Sequence, residues 1–484
     1  MKNLNTFLLT CVFSIMASIG FSATGEQSTE KPAEAPKETL TFKDALTAAY
    51  NLTYLSGAQY DVKAGHELLS AAKREWLPTT GIKSTYSEKF QNTRSRNNPQ
   101  NPGTSRDNIH TTGANLGLNL NQNLFAGGKT IAGIRAKKHA VDKAVAGYQK
   151  QESSHLFAAI QSYSNVVLKE AVLKVRIANQ KVLEEQTTMA KTSNELGANT
   201  ISDVAQVESK LAKIKAAVTM AKAELASAWA SFEKLTGLAH FSSLEDPALP
   251  SVLPQSQEEA MQLALENNYD LKAVEADAEE AKETVKQVRA DLLPNLDISA
   301  GVSRNLQGTW SARAYNVTTA GGFSKSSSSQ FDAGATLSIP LDFRGSTQAG
   351  VRKVKYDAAK KRIDAINARR GVIEAVTSKW QIMEAKRKNI VEAKEQERTA
   401  KVAYDCMNEE FKEGMKTTLH LLTAEQEYFS AQIERLAAEQ EHLQAAYELL
   451  KEIGTLTAQT LDLPVQEFDG SDYESPVWGL SIEE

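Results

Sequence analysis

The chain has 484 residues, 41% of them hydrophobic and 24% charged, with a formal net charge of -5. That length holds two or three ordinary domains, and acids that slightly outnumber bases exclude the basic footprint of a nucleic-acid-binding protein. Two cysteines, Cys11 and Cys406, exclude a disulfide framework and a cysteine metal centre. Seven histidines without a CxxC, HExxH or phosphate-loop spacing point to no enzyme, cofactor or metal site.

Residues 1–23 read as a secretory signal: Lys2, an apolar run from Phe7 to Ile19, then the small residues Gly20, Ser22 and Ala23. Leu8-Leu9-Thr10-Cys11 has the outline of a lipoprotein signal. Thr10 is a poor residue before a lipidated cysteine, however, and the apolar run continues past Cys11. Residues 24–38, rich in Glu, Lys, Pro and Ala, read as a disordered leader. No later segment approaches 18 apolar residues, so any membrane crossing must use strands.

From Thr41 to Trp76 apolar residues recur at helical spacing, and Leu77-Pro78 ends the helix. The period then changes to two. Ile82, Tyr86 and Phe90 oppose Lys83, Thr85, Ser87 and Lys89, and Leu116, Leu118 and Leu120 oppose Asn115, Asn119 and Asn121. Between these strands Asn92 to Asn108 reads as a long polar loop. Gly128 opens a helix from Lys129 to Asn194, roughly 100 Å long at about 1.5 Å per residue. Gly197 stops it, and Thr200 with Asp203 fits a capping box opening a return helix from Ser202 to Thr236. The return helix covers about half the distance, so the helix preceding the strands should stack on it end to end. Pro247, Pro250 and Pro254 then mark residues 247–255 as a linker at mid-height.

The pattern occurs twice. Leu124, Gly128, Gly133, Gly197 and Gly237 correspond to Leu341, Gly345, Gly350, Gly414 and Gly454, every pair 217 residues apart. Residues 39–246 form the first repeat, 256–456 the second, and 457–484 a tail. The second repeat runs from Ser256 to Leu293-Pro294 as helix. Leu296, Ile298, Ala300 and Val302 then alternate with polar residues, and so do Phe331, Ala333, Ala335 and Leu337, around a polar loop from Gln307 to Ser329. In its long helix Ile366, Ile373, Val376, Trp380, Met383 and Ile390 form a coiled-coil seam. Alternation alone fits a hairpin on a soluble core. The export signal, strand length and long loops favour a membrane barrel, and four strands cannot close one, so several chains must share it.

In this order of elements the chain resembles the TolC family of outer-membrane channel proteins. The resemblance is carried by Leu77-Pro78 and Leu293-Pro294, Ser338-Ile339-Pro340-Leu341, Leu124-Phe125-Ala126-Gly127-Gly128 and Gly454-Thr455-Leu456. It implies a mainly α fold with membrane β: a homotrimer whose 12-stranded barrel, three chains sharing one wall, is set in outer-membrane lipid and continued by a periplasmic α-helical barrel. It also implies an exit duct for multidrug efflux or type I protein secretion. Its tips, Gly197-Ala198 and Gly414-Met415, would dock a periplasmic adaptor (membrane fusion) protein and an inner-membrane RND or ABC transporter. The alternative is a soluble periplasmic coiled-coil adaptor. The chain departs from the family pattern at the second tip, where Lys416, His420 and Thr423 stand at positions expected to carry an arginine and two aspartates. These three, with Asp203, Glu410 and Glu413, are the candidate entrance-lining residues. Asp203 is more simply explained as a cap, and Glu410 and Glu413 as partners of Lys412 and Lys416. Histidine changes charge near pH 6.5, which makes His420 a candidate pH-sensitive group.

Overall fold

The computed structural model describes residues 39–470, except 53, 54, 99, 100, 198, 199, 239, 240, 242, 251, 316, 317, 467 and 469. The signal segment, the leader and the end of the tail lie outside the described residues. The elements are β1 (Thr39–Leu40), α1 (Phe42–Asn51), α2 (Ser56–Arg74), β2 (Thr79–Asn98), β3 (Asn101–Ala126), α3 (Lys129–Glu195), α4 (Ile201–Thr236), β4 (Ser243–Leu244), α5 (Gln257–Asn267), α6 (Tyr269–Ala290), β5 (Asn295–Tyr315), β6 (Thr318–Ser338), α7 (Ser346–Lys412) and α8 (Thr418–Ile453). The long helices α3 and α7 have 67 residues each and the return helices α4 and α8 have 36 each.

Glycine punctuates these helices because each boundary needs a left-handed backbone. Gly128 and Gly345 open α3 and α7 at φ 85° and 68°, Gly197 and Gly414 turn the chain at the tips at 76° and 72°, and Gly237 and Gly454 end the return helices at 67° and 85°. Gly345 has no side chain to cap with. Asp342 does this instead, its carboxylate accepting from the Ser346 amide at 3.1 Å and the Gln348 amide at 2.9 Å.

The helix expected before each hairpin is broken in two. Leu52 leaves α1 in an extended conformation. Asn268 separates α5 from α6: its Oδ1 accepts from the Leu271 amide at 2.9 Å and its Nδ2 donates to the Glu452 carbonyl of α8 at 2.7 Å. Apolar spacing continues through both breaks, so periodicity alone does not reveal them. The helices stack as the lengths require. Nearest the sheet, α2, α3, α6 and α7 lie side by side; towards the tips the order is α4, α3, α8, α7. Asp277 ties the upper layer, meeting Lys143 of α3 and Lys361 of α7 at 2.6 Å each.

The core sits at mid-height, where the stacked helices meet. Leu46, Val62, Leu156, Ile160, Leu450, Leu456 and Ala458 are buried together there, which places the tail in the same layer. Each large apolar side chain contributes roughly 1.5–3 kcal/mol on full burial. The β1–β4 bridge closes this belt, and the Tyr163 hydroxyl donates to the Glu245 carbonyl at 2.7 Å.

Two readings of the sequence are corrected. The segments 92–108 and 307–329 are mostly strand: β2 pairs with β3 as far as Asn98 with Asn101, past a register shift after Arg96, and β5 with β6 as far as Tyr315 with Thr318. Their largely polar composition hides the strands, since ladder hydrogen bonds need no continuous apolar side. The seam of α7 is also divided. Val376 and Met383 are buried, whereas Ile366 and Ile373 are exposed together with Tyr356, Ile363 and Val391. The helix therefore carries two apolar faces, one packed and one bare.

Candidate functional site

The four long strands form one antiparallel sheet in the order β2-β3-β5-β6, leaving β2 and β6 as open edges. Register brings like side chains into rows. Ile82, Leu118, Val302 and Phe331 share one row of the apolar face, and Phe90, His110, Trp310 and Phe323 share another nearer the hairpin tips. The opposite face is polar along its length, with rows such as Thr85, Asn115, Asn305 and Ser328. Near the helical end, Asn123 donates to Asp297 at 2.8 Å across the sheet. The apolar face is bare: Ile82 is 78% exposed and Phe331 71%. Such a wall, apolar on one side and wet on the other, fits lipid outside and water inside.

At the first tip Thr200 and Asp203 form the expected capping box, the Asp203 carboxylate accepting from the Thr200 hydroxyl at 2.6 Å and its amide at 3.1 Å. These bonds, the hydroxyl first, hold the Asp203 carboxyl below its ordinary range. Ala198 lies outside the described residues. At the second tip Glu410 approaches Lys416 at 3.8 Å and its carbonyl accepts from the Met415 amide at 2.9 Å. Glu413 is exposed at the end of α7, and Lys412 pairs with Glu409 at 2.7 Å. His420 Nδ1 lies 2.8 Å from the Thr417 hydroxyl, and Thr423 donates back to the Leu419 carbonyl at 2.9 Å. The structure thus gathers Glu410, Met415 and Lys416 at one turn, with His420 and Thr423 on the helix that follows, and sets Asp203 on the other. Leu196 and Ile201, each 80% exposed, flank Gly197; Met415 and Leu419, 67% and 53% exposed, flank Gly414.

One group near the tips has no signal in the linear sequence. Glu425 on α8 is 2% exposed where α3, α4 and α8 converge. Its Oε2 accepts from Gln186 at 2.7 Å, and its Oε1 has no partner among the described residues. Burial outweighs that bond and pushes the carboxyl up to about 7. It borders a cavity of about 230 Å³ that Arg176, Asn179, Lys210 and Phe429 also line, close to the apolar contact of Leu422 with Leu183 and Val207.

A four-stranded wall with a bare apolar face, joined to a shaft of helices more than sixty residues long that ends in two glycine turns, defines the class of outer-membrane duct proteins. The sequence model of the outer membrane efflux protein family matches residues 48–238 and 260–455, and the chain belongs to that family. It is 27% identical over 448 residues to the outer membrane efflux protein BepC of Brucella suis, covering 92% of this chain and 91% of that one. It is 22% identical to the outer membrane protein TolC of Escherichia coli, covering 83% and 79%. The CmeC outer membrane channel of Campylobacter jejuni superimposes with a TM-score of 0.69 at 16% identity, covering 88% and 87%. The chain is an outer-membrane efflux protein of this family, its sheet in the outer membrane and its helical portion in the periplasm.

Proposed function

We propose that three copies close one barrel and one helical shaft, forming a passive exit duct. A periplasmic adaptor (membrane fusion) protein and an inner-membrane RND or ABC transporter would deliver cargo to it. The observation that carries the trimer is unsatisfied surface at every level of the protomer. Beside the bare apolar face of the sheet, β2 and β6 present unpaired edges, and α7 presents Tyr356, Ile363, Ile366 and Ile373 to solvent. Open edges and apolar stripes of this extent are normally covered. Three copies of a four-stranded sheet exceed the roughly eight strands a barrel needs. A soluble adaptor would have no use for a sheet wall that is bare on its apolar side.

Exposed Leu196, Ile201, Met415 and Leu419 support docking at the tips around Gly197 and Gly414. Lys416, His420 and Thr423, with Asp203, Glu410 and Glu413, are proposed to ring the entrance. Photo-crosslinkers at Leu196 and Met415 test the docking: they should capture a periplasmic adaptor in cells, whereas crosslinkers at mid-height Lys43 should not. Equal capture at the three positions would remove the tips as the docking site.

A further inference from the structure

On β5 and β6 the apolar face is interrupted by two cations. Arg304 on β5 faces Ser329 on β6, Leu306 faces Ser327, and Gly308 faces Lys325. By the two-residue alternation all six lie on the same side as Val302, Trp310 and Phe331. Both cations are exposed there, and neither forms an ion pair among the described residues. The neighbouring outward acid, Glu88, is taken by His110 at 2.8 Å. Gly308 lacks a side chain between Thr112 and Phe323, leaving a groove that Tyr86, Ala114, Leu306 and Lys325 also line. The Lys325 ammonium lies 5.7 Å from the centre of the Phe323 ring.

Depth decides what this groove meets. From Leu296 to Leu306 a strand rises about 3.4 Å per residue, and with a tilt near 40° this covers roughly the 25 Å apolar band of an outer membrane. Arg304 therefore stands just inside the outer margin of that band and Lys325 just beyond it, two residues to either side of the Leu306 row. Above them, Phe90, His110, Trp310 and Phe323 make an aromatic row across all four strands, with the Phe90 and His110 rings stacked at 4.1 Å. A cation is costly at the mid-plane and nearly free at the margin, where it reaches the head groups.

We propose that Arg304, Lys325 and the Gly308 groove form a docking site for a phosphorylated lipid head group of the outer leaflet. Arg304 and Lys325 meet the phosphate, with the Ser327 and Ser329 hydroxyls as further donors. The acyl chains run down over Leu306, Ala114 and Val302. Charge complementarity and continuity with the apolar wall select a lipid over a soluble anion. The proposal rests on the barrel reading.

The test uses the full chain in detergent, with native mass spectrometry reading adducts of diphosphorylated lipid A, its enzymatically dephosphorylated form and inorganic phosphate. The wild type should bind the diphosphorylated lipid about tenfold more tightly than the dephosphorylated one, and inorganic phosphate should not compete. The double variant Arg304→Gln, Lys325→Gln should lose that preference while remaining assembled. Lys83→Gln, which removes a cation from the polar face, should keep it. Equal retention of both lipids by the wild type, or an unchanged preference in the double variant, overturns the proposal. So does tighter binding by Glu88→Gln, which would mean that Lys325 is already paired with Glu88 of an adjacent copy. If the barrel reading itself fails, the chain is a monomer that retains neither lipid.

Discussion

Thr417 and His420 occupy the places in the second repeat that Thr200 and Asp203 occupy in the first, and the hydroxyl-to-side-chain contact survives the exchange: 2.8 Å to the imidazole, 2.6 Å to the carboxylate. What is lost is the rest of the box. Thr417 makes no side-chain bond to the α8 backbone, whereas the Thr200 hydroxyl accepts from the Asp203 amide. His420→Asp should therefore restore a full cap and raise thermal stability, a cap being worth about 1 kcal/mol, and Thr200→Ala should lower it by a similar amount. Calorimetry of both variants checks this. The proposed place of His420 at the entrance has a separate readout. Wild type and His420→Asp should differ in ion selectivity at neutral pH, the added carboxylates favouring cations, and identical selectivity would remove this position from the entrance.

Glu425 gives a pH dependence with a definite sign. Its carboxyl is raised to about 7 in the fold, so below the ordinary carboxylate range the group is neutral both folded and unfolded and costs nothing. As pH rises towards about 7 the unfolded chain ionises first, and the stability held by the protonated form is lost. Glu425→Gln keeps the shape and the Gln186 contact without the charge. The variant should match the wild type near pH 4 and exceed it at pH 8 by on the order of 2–3 kcal/mol, read as a higher thermal midpoint.

The duplicated glycines made the helical shaft legible, because a left-handed stop favours glycine and so leaves a mark in the sequence. Thr200 and Asp203 were legible for the same reason: a cap is a local device with fixed spacing. Glu425 was not, since its burial is created by α3 and α4, far away in the chain. The breaks at Leu52 and Asn268 were hidden by apolar spacing that runs through them. Segments 92–108 and 307–329 read as loops because polar residues dominate both sides, and Trp310 and Phe323 stand too far apart in the chain to show a two-residue period. The bare half of the α7 seam, Ile366 and Ile373, was read as packed because spacing shows that a face is apolar and not what covers it.

Two glycines of equal backbone conformation should respond unequally to alanine. At Gly414 a Cβ meets nothing nearby, so Gly414→Ala costs only the left-handed conformation, about 1–2 kcal/mol. At Gly454 the same Cβ would overlap the Asn267 carbonyl, backbone against backbone. Gly454→Ala should destabilise markedly more and reduce the assembled protein recovered from membranes.

The two sheet faces make a paired prediction. Leu118→Arg places a charge on the apolar face at a cost of about 2–4 kcal/mol near mid-band and should impair outer-membrane insertion. Asn119→Arg, one residue on, faces the polar side and should insert normally while shifting conductance. Heat-modifiable mobility of outer-membrane fractions separates the two.

The copy number of the full chain extracted from outer membranes in detergent, read by native mass spectrometry, tests the duct most directly. Three copies per particle are expected, since only a shared barrel removes the open edges of β2 and β6. A stable monomer with its strands intact, recovered in a detergent-free periplasmic extract, would contradict it.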